Sequence, residues 1–400
     1  MTQQPLTVCG SKNIYLDHNA TTPIATSLLA MIPRWLEKWG NPSSIHWNGR
    51  EPKTLLRESR KQLSEFINAT SPLEVIFTSG GSEANNLALF GSYSRIKELH
   101  PQRTEIVTSG IEHPSVLKTL EHLCYQFQLK LIKIPVNRYG IIDLDDYLSH
   151  LSEKTALVSV MFANNETGTI LPIKEMVNAA HEVGALFHTD AVQSLGKTKV
   201  DVKDWGVDLA SFSAHKFYSL KGCGFLYIKQ GTPLNALIHG GGQERGRRAG
   251  TENILAIAAM AHTSQWGALV QEKNQEIEKL RDKMEAEILK NISNVEINGL
   301  KSPRLANTSS LIIEGVSGES LLINLDIAGF SVSTGAACSA GNPEPSPVLL
   351  AMGLSRQQAQ SSLRVSLGWT TTADDIDQFV KALKDIVNHL RSIEEENKYE

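Results

Sequence analysis

Between about residues 75 and 230 seven short apolar runs alternate with stretches of helical pattern. The runs are Val75–Thr78, Glu105–Thr108, Leu129–Ile134, Leu157–Phe162, Ala185–Asp190, Leu209–Ser213 and Phe225–Ile228. Strands of this length joined by helical crossovers build a layered, mostly parallel α/β sheet, and ligands of such sheets collect beyond the carboxyl ends of the strands. The most distinctive polar residues fall at those ends. Ser79-Gly80-Gly81-Ser82, His113, Asn164-Asn165, Asp190 and Lys216 are therefore expected to converge.

After residue 262 the texture changes. A charged helix over about Glu272 to Ile292 leads to a strand-like Ser309–Ile313 and a last helix from Asp374 to Ile393. In that helix Ile376, Phe379, Val380, Leu383, Val387 and Leu390 make one apolar face. The expectation is a large domain over 16–262 and a smaller α+β domain from 1–15 and 263–400. Asp17-His18-Asn19-Ala20-Thr21-Thr22-Pro23 is expected to cross near the site.

With 41% hydrophobic and 20% charged residues the 400-residue chain falls outside the disordered and fibrous classes. A formal net charge of −4 gives no long-range attraction to nucleic acid or to an anionic membrane. No apolar run approaches the roughly 18 residues of a membrane span, and Met1 to Ser11 has neither a signal-peptide core nor an arginine-rich transit pattern, so a cytoplasmic location is expected. The four cysteines, Cys9, Cys124, Cys223 and Cys338, lack metal-ligand spacing, so no metal is expected.

Lys216 closes the run Asp208–Ser213 through Ala214-His215 and precedes a glycine-bearing turn. An amine at a buried strand end loses hydration, which favours the neutral nucleophile that condenses with an aldehyde, as a pyridoxal phosphate lysine must. Read alone, Lys216 is equally a surface lysine. Ser79–Ala84 follows a strand and opens a helix, where backbone amides would face a phosphate; the plainer alternative is a glycine turn with Ser82 as N-cap. Asp190 ends a strand 26 residues before Lys216 and could keep a pyridinium nitrogen protonated, with Gln193 reaching the same side; alone it is an ordinary helix cap. His113 precedes Pro114, a suitable first helical residue, and an imidazole there could stack on a ring and move protons. Gly240–Thr251 places Arg245, Arg247 and Arg248 among glycines and reads as a mobile anion-binding loop.

Together these segments resemble the cysteine desulfurases of the NifS and IscS type, within the fold-type I pyridoxal phosphate enzymes. The resemblance runs through Tyr15–Pro23, Asn41–His46, Thr78–Asn86, Asn164–Gly168, His188–Ser194 and Ser213–Lys216. It implies pyridoxal 5'-phosphate bound covalently at Lys216, His113 stacked on its ring, Asp190 on the ring nitrogen and Gln193 on the phenolic oxygen. A phosphate cup of Gly81, Ser82, Ser213 and His215 is implied, completed by Thr251 of the other subunit of a homodimer. Arg364 is implied as the fork for the L-cysteine carboxylate, with Asn165 positioning cofactor and substrate.

Ser333–Pro347 surrounds Cys338 with small and turn-forming residues, which allows an accessible thiol, although composition alone favours a small cysteine buried in a tight turn. The resemblance implies the former, a persulfide-forming nucleophile that hands sulfur to an acceptor protein such as an iron-sulfur scaffold. Ser346, eight positions beyond Cys338, resembles the longer-loop IscS-like group. Cys9, Cys124 and Cys223 read as structural or incidental. The chain departs from the family at Ser219-Leu220, where a Gly-Pro turn is usual. A selenocysteine lyase or another β-lyase on the same fold is the near alternative, a non-catalytic sulfur-relay scaffold the far one, and an aminotransferase has no use for the cysteine.

Overall fold

The computed structural model describes residues 13–335 and 344–396, with side chains through 393. Twelve strands lie in the described chain: β1 (Ile14–Tyr15), β2 (Val75–Thr78), β3 (Glu105–Ser109), β4 (Lys130–Ile134), β5 (Thr155–Ser159), β6 (Leu186–Asp190), β7 (Leu209–Ser213), β8 (Gly224–Ile228), β9 (Val295–Ile297), β10 (Thr308–Ile313), β11 (Phe330–Ser331) and β12 (Ser362–Ser366).

The seven expected runs form one sheet in the order β2-β8-β7-β6-β5-β3-β4. Only β8 runs against its neighbours β2 and β7, and the pairs from β7 across to β4 are parallel. Strands β2, β5, β7 and β8 are buried along their whole length, because helices cover both faces of the sheet. The carboxyl ends of β2, β3, β5, β6 and β7 therefore open along a single edge.

A large core packs the sheet residues Phe77, Val107, Val158, Phe187, Phe212 and Phe225 against helix residues such as Leu63, Met176 and Met260. A second core joins Leu16, at the end of β1, to Ile277, Met284 and Ile288 of helix Val270–Asn291. It also takes Leu311 of β10, Leu363 of β12 and the expected apolar face of helix Ala373–Glu396, namely Ile376, Phe379, Val380, Leu383 and Val387. The β12-β10-β9 sheet is antiparallel, and it carries Arg364.

Sharp turns deliver the chain to the open edge. At Gly81 a Cβ would sit 2.7 Å from Val192 Cγ2, so glycine lets the start of helix Gly81–Asn86 approach the chain that follows β6. Gly80, and not Ser82, is its N-cap, and the helix runs on through a π-helical turn at Leu87–Gly91 to Leu99.

Candidate active site

Lys216 lies in a 3-10 turn after β7. Its Nζ donates to the backbone carbonyls of Asn19, at 2.6 Å, and Ala20, at 2.7 Å. Two neutral acceptors do not stabilise charge as a carboxylate would. Burial, helped by Arg364 and opposed by Asp17 and Asp190, lowers the amine to about 8. A lysine so placed is a nucleophile near neutral pH.

Asp190 ends β6 and is 6% exposed. Its Oδ1 accepts from Val192 N at 3.0 Å, and its Oδ2 accepts from Asn85 Nδ2 at 2.8 Å. The same Asn85 amide donates to Ser115 Oγ at 2.8 Å, which leaves the Ser115 hydroxyl to donate to His113 Nδ1 at 2.7 Å. Ser115 N also donates to Nδ1, so the neutral imidazole carries its proton on Nε2. His113 caps helix Pro114–Phe127, and Pro114 is its first residue, as the sequence suggests. The ring is open to the cleft, yet the protein packed around it lowers its proton affinity. Asp190 opposes that effect, and Lys216 adds to it.

Arg364 is 3% exposed. Its guanidinium reaches Asp17 Oδ1 at 2.8 Å and the Asn165 carbonyl at 3.2 Å, while Nε is buried without a partner. A buried donor of this kind is costly unless a ligand completes it. A substrate carboxylate has the required geometry, since guanidinium and carboxylate match as forks.

Asn19 was legible only as part of a polar motif, and it proves to be the hub of the site. Its N–H donates to Ser366 Oγ at 2.9 Å, and its carbonyl receives both Lys216 and Gln193 Nε2, the latter at 3.1 Å. Its side chain donates to the Asn165 carbonyl and to Thr308 Oγ1, and accepts from Lys197 and Asn307. Residues that follow strands of the seven-stranded sheet, Lys216, Gln193 and Lys197, and residues of β10 and β12, Thr308 and Ser366, thus meet on one asparagine. Lys197, Asn85, Ser115 and Asp17 were not singled out from sequence either. The one signal that could have found Lys197 is its place four positions beyond Gln193, in the run of turns that follows β6.

The residues fit pyridoxal phosphate. The amides in the first turn after Gly80 have no partner within the helix. Gly81 and Ser213 are buried beside them, Ser82 is exposed, and His215, lowered to about 4 mainly by burial, is neutral. Lys216, Lys197 and Arg364 against Asp17 and Asp190 leave an excess of basic groups for an anionic ligand. Thr251 is exposed.

The glycine-arginine loop corrects an expectation. Arg248 grips Glu83 through Nε at 2.8 Å and Nη2 at 3.3 Å, Arg245 donates to the Leu73 carbonyl, and the buried Glu244 is held by Arg60 at 2.6 and 2.7 Å. Two of its arginines are therefore committed to protein acceptors, which outcompete a passing anion because they are already in place. Arg248 also neutralises a carboxylate that would otherwise repel a phosphate at the helix start.

Cys338 and Cys9 lie outside the described residues. Cys124 and Cys223 are buried, and burial pushes their thiols up to about 11 and about 12, so neither supplies thiolate at neutral pH. Ser219 is 1% exposed with an unpartnered hydroxyl, so the departure at Ser219-Leu220 sits inside the protein, behind Lys216 in sequence.

Residues 14–379 match the aminotransferase class-V family. The chain is 44% identical over 384 residues to the cysteine desulfurase IscS of Dictyoglomus turgidum, covering 96% of each chain. It is 38% identical over 383 residues to the cysteine desulfurase NifS of Azotobacter vinelandii, covering 95% of this chain and 94% of that one. A solved NifS-like protein superposes with a TM-score of 0.87 at 34% identity, covering 94% of this chain and 100% of that one. Because these matches span the sheet, both cores and the whole converging edge, the chain belongs to the class-V aminotransferase family of pyridoxal phosphate enzymes, among its cysteine desulfurases.

Proposed function

We propose that this protein converts L-cysteine to L-alanine and passes the sulfur to Cys338 as a persulfide, for delivery to an acceptor protein in iron-sulfur cluster or thio-cofactor assembly. The observation that carries the reading is the Lys216 amine, lowered to about 8 and held on two backbone carbonyls at the edge where Asp190, His113 and Arg364 converge. Pyridoxal phosphate, when bound, supplies an electron sink conjugated to the substrate Cα.

The residues do the rest. Lys216 would hold the cofactor, and its Nζ would take the substrate Cα proton. Asp190 would hold the ring nitrogen and keep it protonated, and Gln193 would donate to the phenolic oxygen. Gly81, Ser82, Ser213 and His215 would hold the phosphate, with Thr251 of a second copy completing the cup. Arg364 binds the substrate carboxylate with help from Asn165. The Cys338 thiolate attacks the substrate sulfur, so an S–S bond forms as the Cβ–S bond breaks. The released electron pair stays with Cβ, which takes a proton managed by His113; Lys216 returns the proton to Cα, and the product leaves as alanine.

The division into 16–262 and a smaller domain from the two ends, and a cytoplasmic location, belong to the same proposal. Among the described residues no helix is long and apolar enough to cross a membrane.

The test is to supply pyridoxal phosphate and L-cysteine and to measure alanine, with persulfide on the protein read by mass. Cys338→Ala should keep the cofactor absorbance and lose turnover. Normal turnover in that variant removes Cys338 from the reaction, and absence of alanine from the unaltered protein removes the activity.

A further inference from the structure

Lys197 is a buried basic side chain that no step above uses. It is 8% exposed, and among the described residues it pairs with no carboxylate. Its Nζ donates instead to two amide oxygens, Asn19 Oδ1 at 2.7 Å and Gln193 Oε1 in a short hydrogen bond. Burying an amine without a counter-charge is expensive, and burial together with Lys216 and Arg364 drives its proton affinity well below the usual lysine value. The charged and titratable groups around it are Lys216, Arg364, Asp17, His18 and His215.

The placement settles which way round the Gln193 amide lies. One end faces the Asn19 carbonyl, at 3.1 Å, and a carbonyl can only accept, so that end is Nε2. The other end faces Lys197, whose amine donates to Oε1 whether it is charged or neutral, because Asn19 Oδ1 uses only one of its hydrogens. The Asn19 carbonyl that receives Nε2 is the same oxygen that receives Lys216 Nζ. A flipped amide would set two carbonyl oxygens against each other and leave Lys197 facing an NH2 group.

We propose that Lys197 is a positioning residue that fixes the Gln193 amide, so that Nε2 stays on the Lys216 side as the donor to the cofactor's phenolic oxygen. The proposal rests on the reading that Gln193 touches that oxygen.

The test is a pH titration of the visible absorbance of the full-length, cofactor-loaded protein, which reads the proton shared with the phenolic oxygen rather than turnover. A phenolate that loses a donor holds that proton more tightly. Gln193→Ala should therefore raise the midpoint by about half to one pH unit, the scale of one hydrogen bond. Lys197→Met should raise it in the same direction, and the double variant should match Gln193→Ala alone, because Lys197 acts only through Gln193. Should the Met variant fail to fold, Lys197→Gln carries the same expectation. An unmoved midpoint in Gln193→Ala removes the reading of Gln193 and the proposal with it. A shift in Gln193→Ala with none in the Lys197 variant, or shifts that add in the double variant, overturns the role of Lys197 alone.

Discussion

Ser346 and Glu166 are joined by a 2.5 Å hydrogen bond from the serine hydroxyl to Oε2. Glu166 follows Asn165, whose carbonyl receives Arg364 and Asn19, while Ser346 caps helix Pro347–Ala351 through Leu349 N. At Gly335 a Cβ would fall 2.6 Å from the same Oε2. One buried carboxyl therefore sits against Gly335 and Ser346, described residues on either side of positions 336–343, among which Cys338 falls.

Burial pushes the Glu166 carboxyl up to about 7, against the lowering effects of Ser346 and Arg364. Ser346→Ala removes a donor and a helix cap together. It should cost about 1–3 kcal/mol of stability by urea unfolding, and raise the Glu166 carboxyl further. A loss within the error of the unaltered protein would mean that water replaces the hydroxyl without penalty.

Cofactor uptake should follow the Lys216 amine. With its value lowered to about 8, about a tenth of the chains carry neutral amine at pH 7, against fewer than about one in a thousand for an ordinary lysine. The rate at which cofactor-free protein develops the covalent absorbance should rise with pH and level off above about 8. A rate still climbing at pH 10 would contradict the lowered amine, and Lys216→Ala should show no such absorbance at any pH.

The Asn85 amide supports Asp190 and, through Ser115, His113. Asn85→Leu leaves the carboxylate one charged hydrogen bond short, so pyridoxal phosphate should bind about tenfold or more weakly, measured by fluorescence titration. Ser115→Ala should spare that affinity and instead shift the pH profile of turnover, since it removes a donor from His113 Nδ1. Equal affinities in Asn85→Leu and the unaltered protein would place Asp190 outside the cofactor's reach.

What the sequence made legible follows from periodicity. Runs such as Val75–Thr78 and Leu209–Ser213 are buried on both faces, so composition alone marks them, and Asp190 and Lys216 inherit their place from strand ends. The Pro114 start and the apolar face of helix Ala373–Glu396 were visible for the same local reason. Asn19 and Lys197 were not, because their meaning lies in bonds across 288 and 178 positions, to Asn307 and to each other. The glycine-arginine loop misled in the opposite sense: its arginines look free in one dimension, and only the fold supplies Glu83 and the Leu73 carbonyl.

Glu112, beside His113 in sequence, makes the last prediction. Its carboxyl is 2% exposed; Oε1 accepts from Ser109 Oγ at 2.5 Å and from Met161 N at 2.9 Å, while Oε2 has no partner. Burial, with Asp190 adding, raises it to about 8 despite those two donors. The folded protein thus holds this proton at a pH where the unfolded chain has released it. The stabilisation is fully present below the ordinary carboxyl value and is lost as pH rises through about 8. Glu112→Gln keeps the acceptor and cannot ionise. The stability of the unaltered protein relative to this variant should therefore fall between pH 5 and 8, by at most about 1.4 kcal/mol per pH unit, and flatten beyond. Urea unfolding of both proteins at pH 5, 7 and 9 measures the difference, in which the remaining titrating groups cancel. Parallel curves would show that Glu112 is already ionised in the folded protein and that its burial is relieved by a donor to Oε2.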